Sequence, residues 1–369
     1  MNMKILFHLN SMGRGGAEHV VSILSRAFAE RGHEVVLTTQ WYSENEYETD
    51  ERVRRISVGL ADAEEHQGRV RKAWIRLARL RRCIQKEKPD IVVSFCNKAN
   101  FRSAIAMLGM KIPLLVSVRN DPNKDYAPYK IPTMIMEKKA SGCVFQTPDA
   151  MECFSKELQK KSRVIFNPLS ENYLSPVTEE AGLPVRKKEI VTVGRISRQK
   201  NQLLLLRAFR GVLKTYPDYI VTIYGEIQDR EIYDALRKYM MENGLQDKVR
   251  FMGVTASLQE EIRDAAVFVL PSDYEGMPNA LIEAMVLGLP CIATNCPCGG
   301  AALLLQDEVS GRLVPTGQAD ALQRAMEDML SNPEKAECMG KNARKVLEKV
   351  HPDKVCGEWI RYISEILNN

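Results

Sequence analysis

The stretch EIVTVGRISRQKNQLLLLRAFRGVLKTY, residues 189–216, combines a short apolar run, a polar loop and an amphipathic helical pattern. EIVTVG predicts a strand and NQLLLLRAFRGVLKTY predicts a helix. The alternation continues through the second half of the chain, where further strands are predicted for YIVTIYG, VRFMG, VFVLP, CIAT and RLVP. Strands that are apolar throughout and alternate with helices indicate a parallel sheet covered on both faces.

The first half of the chain has the same pattern. Strands are predicted for KILFHLN, EVVLTT, DIVVSF, PLLVSVR, GCVFQT and RVIFN, and a helix for AEHVVSILSRAFAERG. A chain of 369 residues is too long for one ordinary core. We therefore predict an α/β protein with Rossmann-like domains at 1–168 and 189–350, a linker at 169–188 and a final helix within 351–369.

The composition excludes several classes of protein. Hydrophobic content is 45% and charged content 27%, as in soluble globular proteins. No apolar run approaches the roughly 20 residues that span a bilayer, and MNMKILFHLN resembles a first strand more than a secretory signal. Nine irregularly spaced cysteines do not predict a disulfide framework, so we expect a reducing, cytoplasmic setting.

The net charge of +5 is unevenly distributed. Residues 1–168 carry 28 basic and 19 acidic side chains, or +9, whereas the remainder carries 24 and 28, or −4. The first half is therefore expected to face an anionic partner.

Ligands of such sheets bind outside the carboxyl ends of the strands, so the loops that follow strands are the candidate sites. In NSMGRGGAEHV, Gly15 and Gly16 follow the first strand and open a helix, where backbone N–H groups can meet a phosphate. The alternative is a tight turn alone. A nicotinamide site is disfavoured, because the glycine fingerprint is incomplete and no acidic residue ends EVVLTTQ.

In GRISRQKNQ, Arg195 follows a strand and Lys200 precedes a helix that Asn201 can cap. Two cations at a helix start suit a diphosphate. The alternative is a pair of solvated surface cations.

The loop SDYEGMPNALIEAM, residues 272–285, contains the carboxylates Glu275 and Glu283. A helix is predicted to begin near Pro278 and to end at Gly288. Exposed backbone N–H groups are expected between the two carboxylates, at Gly276, Met277 and Asn279. A ligand with hydroxyls at both ends and phosphates between them would bind this loop. A nucleotide diphosphate sugar has this arrangement of groups.

The motif EGMPNALIE resembles the E-x7-E motif of the retaining family 4 glycosyltransferases, which have the GT-B fold. GGAE, VIFNP, VGRISRQKN and GLPCIAT match that family in order and context, over essentially the whole chain. The resemblance implies two Rossmann-like domains facing each other across a cleft, and a C-terminal helix that crosses back to the N-terminal domain. It also implies transfer without a metal ion or other cofactor.

The resemblance further implies roles for individual residues. Arg195 and Lys200, with the backbone of Gly15 and Gly16, would hold the donor diphosphate. Glu283 would bind the ribose and Glu275 the transferred sugar.

The chain departs from the family at two places. Many members have a histidine after the fourth strand of the first domain, where this chain has Arg119 and Asn120 in VSVRNDPNKD. We expect these side chains to contact the sugar or the acceptor; the alternative is a loop whose Asn and Asp cap a turn. An acidic residue is also frequent where Leu303 stands, in CPCGGAALLL.

Residues 69–88, RVRKAWIRLARLRRCIQKEK, contain nine basic residues and one acidic residue. Val70, Trp74, Leu77 and Ile84 recur at helical spacing, so the segment fits an anionic membrane surface or a domain helix with a solvated basic face. Nucleic acid is not expected as a partner.

The sequence therefore predicts a retaining, metal-independent glycosyltransferase. It would move a hexose or N-acetylhexosamine from a nucleotide sugar to a lipid-linked glycan at the cytoplasmic membrane face, and the family resemblance implies a UDP-sugar as the donor. Two alternatives remain at this level: a non-catalytic GT-B nucleotide-binding protein and a nicotinamide-dependent oxidoreductase.

Overall fold

The computed structural model of the protein describes residues 2–174 and 185–368. The chain divides into two compact units, Met1–Pro168 with His351–Asn369, and Leu169–Val350. Residues 175–184 of the predicted linker lie outside the described residues. The strand after the linker begins at Lys187, slightly before the predicted domain boundary.

The described part of the first unit contains a seven-stranded parallel sheet with the order β3-β2-β1-β4-β5-β6-β7. Its strands are β1 Lys4–His8, β2 Glu34–Thr39, β3 Arg54–Ser57, β4 Ile91–Phe95, β5 Leu114–Ser117, β6 Gly142–Phe145 and β7 Ser162–Val164. Six of these strands were predicted. The seventh, β3, is a short, half-exposed edge strand that begins with two arginines, so it has no apolar run.

The second unit has a parallel sheet of six strands among its described residues, ordered β10-β9-β8-β11-β12-β13. The strands are β8 Lys187–Val193, β9 Ile220–Tyr224, β10 Val249–Gly253, β11 Ala265–Leu270, β12 Cys291–Asn295 and β13 Arg312–Pro315. All six correspond to predicted strands. The two parallel sheets confirm the prediction of two Rossmann-like domains.

Helices connect the strands. The first unit contains α1 Gly16–Glu30, α2 Arg69–Glu87, α3 Asn97–Ala106, α4 Pro122–Asp125, α5 Lys130–Lys139, α6 Pro148–Glu152 and α7 Lys156–Lys160. The second contains α8 Gln202–Val212, α9 Arg230–Glu242, α10 Leu258–Ile262, α11 Asn279–Val286, α12 Gly300–Leu304, α13 Ala319–Ser331, α14 Pro333–Ala343 and α15 Leu347–Val350. Helix α16, Pro352–Asn368, returns to the first unit.

Both faces of the first sheet are buried. Ile5 and Phe7 of β1 pack in one apolar cluster with α1 and α16, whereas Leu6 packs in another cluster with α2, α3 and α5. This burial explains the uninterrupted apolar runs of the sequence. In α16, Trp359 is fully buried and stacks on Phe95 with ring centroids 5.5 Å apart, so the last helix is part of this core.

Candidate functional sites

The strand order of each sheet reverses beside its first strand. In the second unit β8 lies between β9 and β11, and the loops after β8 and β11 carry the predicted site residues. Arg195 and Lys200 follow β8, and Glu275 follows β11. Parallel sheets bind ligands outside the carboxyl ends of strands at this point of reversal.

Lys200 and Glu275 form an ion pair in these loops. The Lys200 Nζ lies 2.6 Å from Glu275 Oε1, and the two side chains are 16% and 7% exposed. The buried Ser272 hydroxyl donates to the same oxygen at 2.7 Å. An ammonium has three donors, so this pair uses one of them and leaves the group able to bind a ligand as well. Sequence reasoning did not identify Ser272.

Backbone and amide contacts hold the two loops together. The Asp273 N–H donates to the Gln199 carbonyl and the Gln199 side chain donates to the Tyr274 carbonyl, both at 2.9 Å. Asn201 donates to the Asp273 carboxylate at 2.6 Å and caps α8 by accepting from the Leu204 N–H. The predicted N-cap is confirmed, and these hydrogen bonds join the loop of Arg195 and Lys200 to the loop that carries Glu275.

Arg195, in the first of these two loops, is half-buried. Its backbone carbonyl accepts a hydrogen bond from the side-chain amide of Gln202 at 3.0 Å. Gly225, after β9, allows the Arg195 loop to approach closely. A Cβ at Gly225 would lie 2.2 Å from the Gly194 carbonyl oxygen and 3.1 Å from the Arg195 nitrogen. A side chain there would therefore displace the arginine.

Glu283 lies in α11 and accepts a hydrogen bond from the Tyr173 hydroxyl at 3.3 Å. Burial raises the pKa of Glu283 to about 7, and the tyrosine contact opposes that shift. Its charge therefore changes near neutral pH. Tyr173 belongs to the predicted linker segment, which the sequence marked only by turn-forming residues.

The segment between the two glutamates is well packed. Gly276 and Met277 are buried rather than exposed, and Met277 and Asn279 already make contacts. The binding of a ligand by the N–H groups of Gly276, Met277 and Asn279 stays a prediction. A Cβ at Gly300 would lie 1.6 Å from the Gly276 carbonyl oxygen, so α12 covers this loop and needs glycine at that position.

In the first unit, Gly15 is the N-cap of α1 with φ −105°, and Gly16 is the first helical residue. The Glu18 carboxylate lies against Gly15, so that a side chain at Gly15 would collide with it. A phosphate at this helix start would have to displace Glu18. The predicted role of Gly15 and Gly16 stays a prediction.

Arg119 follows β5 and donates to the side-chain amide oxygen of Asn167 at 2.5 Å and to the Ser117 hydroxyl at 3.4 Å. Its guanidinium lies over the Phe95 ring, 5.4 Å from the centroid. Burial lowers the pKa of Arg119 to about 10. Asp121 beside Asn120 caps α4, which fits the turn-capping alternative for the loop, and contact of Arg119 or Asn120 with sugar remains a prediction.

The apolar stripe of α2 is divided. Leu80 and Ile84 are fully buried in the core, whereas Val70 and Trp74, in the first two turns of the helix, are 73% and 68% exposed. The packed half matches the domain-helix interpretation, and the exposed half matches the membrane-surface interpretation. None of the described helices combines the length and the apolarity that crossing a bilayer requires.

Among residues 2–174 and 185–368, no group of three or more His, Cys, Asp or Glu side chains is placed to hold a metal ion. None of the nine cysteines, Cys296 and Cys298 included, forms a disulfide bond within the described residues. Burial, with the charge of Glu275 nearby, raises the pKa of Cys296 to about 12.

Two family models match consecutive parts of the chain. The model for Glycosyltransferase Family 4 matches residues 14–169, and the model for Glycosyl transferases group 1 matches residues 177–346. The two matches correspond to the two structural units and together cover most of the sequence.

Curated relatives extend over the chain. It is 24% identical over 371 residues to the GalNAc-alpha-(1->4)-GalNAc-alpha-(1->3)-diNAcBac-PP-undecaprenol alpha-1,4-N-acetyl-D-galactosaminyltransferase of Campylobacter jejuni, covering 99% of each protein. It is 27% identical to the UDP-Gal:alpha-D-GlcNAc-diphosphoundecaprenol alpha-1,3-galactosyltransferase of Escherichia coli, covering 76% of this chain and 77% of the relative.

Solved structures share the fold. The crystal structure of HepE from Anabaena in complex with UDP and glucose superposes with a TM-score of 0.79 at 18% identity, covering 99% of this chain and all of that one. The family models and the curated relatives confirm the family resemblance and the prediction of a glycosyltransferase. The solved structures confirm the GT-B fold class. The chain belongs to the glycosyltransferases that consist of a family 4 domain followed by a group 1 domain.

Proposed function

We propose that this glycosyltransferase moves a hexose or N-acetylhexosamine from a UDP-sugar to a lipid-linked glycan, with retention of configuration and without a metal ion. The observation that carries the proposal is the Lys200–Glu275 pair at the strand-order reversal, with Arg195 beside it. The relatives named above support it, because their names specify undecaprenol-linked acceptors and one specifies UDP-Gal.

In the proposed reaction, an acceptor hydroxyl attacks the anomeric carbon of the sugar. The bond from that carbon to the phosphate oxygen breaks, and the proton of the hydroxyl moves to the departing phosphate. Negative charge therefore grows on the diphosphate, where Arg195 and Lys200 would stabilise it. Fixed donors aimed at developing charge are usually a large part of catalysis. Glu275 would accept hydrogen bonds from sugar hydroxyls, and Glu283 from the ribose.

Two features support the finer parts of the proposal. Both relatives are named as alpha-linking enzymes, and UDP-hexoses carry their sugar in the α configuration, so an α product means retention. Arg195 and Lys200 supply two positive charges at the proposed diphosphate site, which is the task that a divalent ion performs in metal-dependent enzymes.

A donor panel tests this proposal. UDP-, GDP- and ADP-sugars are incubated with the protein in the presence of a chelator, with and without a bacterial lipid extract, and release of nucleoside diphosphate is measured. We expect release from a UDP-sugar, stimulated by lipid, with an α-linked product. Dependence on added Mg²⁺ or Mn²⁺ would contradict metal independence, and absence of UDP binding would contradict the whole proposal.

We further propose that the enzyme works as a peripheral protein on the cytoplasmic membrane face, through the exposed start of α2. Val70 and Trp74 protrude among Arg69, Arg71 and Lys72. An exposed indole with flanking cations suits the interface of a bilayer that contains anionic lipid.

Vesicle sedimentation measures this contact. With vesicles of phosphatidylcholine and phosphatidylglycerol, Trp74→Ser combined with Val70→Ser should weaken binding about tenfold, because two buried apolar side chains are lost. Met252→Ser, at an exposed apolar residue of the second unit, serves as the control. Equal binding of all three proteins, or equal binding to pure phosphatidylcholine, would contradict the proposal.

A further inference from the structure

The glycine turn at residues 12–15, MGRG, lies between β1 and α1, where the strand order of the first sheet reverses. Ligands of parallel sheets bind at this point, and the first N–H groups of a helix suit a phosphate. The Gly15 N–H closes the turn by donating to the Gly13 carbonyl at 2.7 Å. Two of its four residues are glycines, which restrict the backbone least. Its conformation must therefore be fixed by other parts of the chain.

The loop after β2 holds the turn by its first residue. The Tyr47 N–H donates to the Met12 carbonyl at 2.8 Å, and the Glu46 carboxylate accepts from the Met12 N–H at 3.4 Å. Gly13 and Glu46 also form an isolated antiparallel bridge. Both backbone polar groups of Met12 are thus bonded to this loop, while its side chain is fully buried in the core.

The Tyr47 ring adds to this contact. It stacks on His19 of α1, with ring centroids 5.0 Å apart and planes 12° apart. The Arg14 guanidinium lies over the same ring, 5.3 Å from its centroid. The loop therefore packs against the glycine turn and against the first turns of the helix that follows it.

Glu46 is itself held by Arg55 of the edge strand β3. The Arg55 guanidinium donates to both carboxylate oxygens, to Oε1 at 3.0 Å, and the Arg55 and Glu46 side chains are 14% and 15% exposed. The same Oε1 accepts from the Ser43 N–H at 2.8 Å, and Arg55 Nε donates to the Thr39 hydroxyl at 3.2 Å. The hydrogen bonds from Arg55 lower the pKa of Glu46, so Glu46 is ionised at neutral pH. A forked pair of this kind fixes the orientation of both groups.

We infer that Glu46 is a positioning residue for the transfer reaction: with Arg55, it fixes the glycine turn so that backbone N–H groups at the start of α1 can face the donor diphosphate once Glu18 has moved aside. The inference rests on the proposed function, in which negative charge grows on that diphosphate. Preorganised N–H groups stabilise such charge, whereas a mobile turn would first have to be ordered. Glu46 and Arg55 act through the turn and do not touch the reacting atoms.

Turnover per binding site tests the inference. Calorimetry with UDP counts the UDP-binding sites, and initial rates of UDP release from a UDP-sugar, with the lipid extract as acceptor, give kcat and KM. Glu46→Ala should lower kcat per site about tenfold, the effect of losing hydrogen bonds to a charged group, while the KM for the UDP-sugar changes less than about threefold. Glu46→Gln keeps an oxygen that can accept from the same N–H groups, so it should lose only about threefold. Loss of folded protein alone would lower the number of sites and leave kcat per site unchanged.

The matched control is Asp50→Ala, in the same connection between β2 and β3. Asp50 accepts from Arg52 Nε at 2.8 Å, and in the part of the chain that the structure describes neither residue bonds with residues 12–15. Arg52 is half exposed, so this pair contributes little. The variant should keep kcat per site within about twofold of wild type.

Hydrogen exchange measures the turn itself. The amides of residues 12–16 should exchange at least about tenfold faster in Glu46→Ala than in wild type or Asp50→Ala. Unchanged kcat per site in Glu46→Ala, an equal loss in Asp50→Ala, or unchanged exchange at the turn would overturn the inference. Absence of UDP release by the wild-type protein would instead overturn the proposed function, and the exchange rates would still show whether Glu46 holds the turn.

Discussion

The two units use the same strand arrangement but place different charges at the point where the strand order reverses. In the second unit the cation Lys200 is paired with the carboxylate of Glu275 at 2.6 Å. In the first unit Arg102 is hydrogen-bonded to the neutral groups of His8 and Asn10. The basic side chain beside the first strand is therefore paired with a carboxylate in one unit and with neutral groups in the other.

This difference matters for the proposed donor site. A nucleotide sugar has phosphates and hydroxyls, so a site for it needs cations and hydrogen-bond acceptors side by side, which the Lys200–Glu275 pair provides. In the first unit, no carboxylate among the described residues pairs with Arg102, and burying a cation in that way costs free energy. The same architecture thus gives one basic side chain a charged partner in one unit and neutral partners in the other.

The largest effect is expected from removing the cations of the second unit. Lys200→Ala and Arg195→Ala should each lower turnover on the order of 10²-fold or more, since each removes a donor aimed at the leaving diphosphate. Initial rates of UDP release measure the effect. Arg198→Ala, an exposed arginine in the same short helical turn, is the matched control and should keep its activity. Near wild-type rates for Lys200→Ala would contradict the assignment.

A smaller effect distinguishes the two glutamates of the second unit. Glu275→Gln should lower turnover about tenfold while UDP affinity changes less than about threefold, because its proposed contact is with the sugar. Glu283→Gln should instead weaken UDP binding. Steady-state rates and calorimetry with UDP give both values. If the two variants behave alike, the separate roles of these carboxylates are wrong.

The smallest effect is a pH dependence. Glu283, with a pKa of about 7, is mostly protonated below that pH, and only its carboxylate accepts hydrogen bonds from both ribose hydroxyls. Affinity for a UDP-sugar, whose diphosphate keeps its charge in this range, should rise a few-fold from about pH 6 to about pH 8. The rise should vanish in Glu283→Gln and persist in Glu275→Gln, measured by calorimetry in buffers of equal ionic strength.

The same shift has a consequence for stability. The pKa of Glu283 is raised above its ordinary value of 4.5, so the folded state binds the proton more tightly than the unfolded state. Its contribution to stability is therefore largest at low pH and falls as the pH rises from about 4.5 to about 7. Thermal unfolding as a function of pH measures this trend. We expect stability to fall from about pH 4.5 to about pH 7 in the wild-type protein, and this fall should be absent in Glu283→Gln.

Much of the fold can be predicted from the sequence, because parallel strands that are buried on both faces require uninterrupted apolar runs. The strand VFVLP became β11 and the polar loop after it carries Glu275, as predicted. The capping role of Asn201 also follows from local chemistry. The E-x7-E spacing, with the resemblance to the family, predicts a ligand-binding loop here, although neither glutamate alone is informative.

Contacts distant in sequence could not be predicted. Lys200 and Glu275 lie in different loops, and only the sheet order brings them together. Tyr173 reaches Glu283 from a segment that shows only turn-forming residues. The cluster of Arg102, His8 and Asn10 has no motif, because its members come from a strand, a loop and a helix. Such groups become visible only when burial and hydrogen bonds can be counted.

Helix α16 has a consequence for how the protein is made. Its Trp359 stacks on Phe95, and its Tyr362 hydroxyl donates to the Lys161 carbonyl, so the first unit is completed by the last part of the described chain. On the ribosome, residues 1–168 emerge first but lack this packing, whereas the second unit is complete once residue 350 has emerged. Domains usually fold in the order of synthesis. Here the second unit can reach its native state before the first does, and residues 1–168 keep an uncovered apolar surface until α16 has been synthesised.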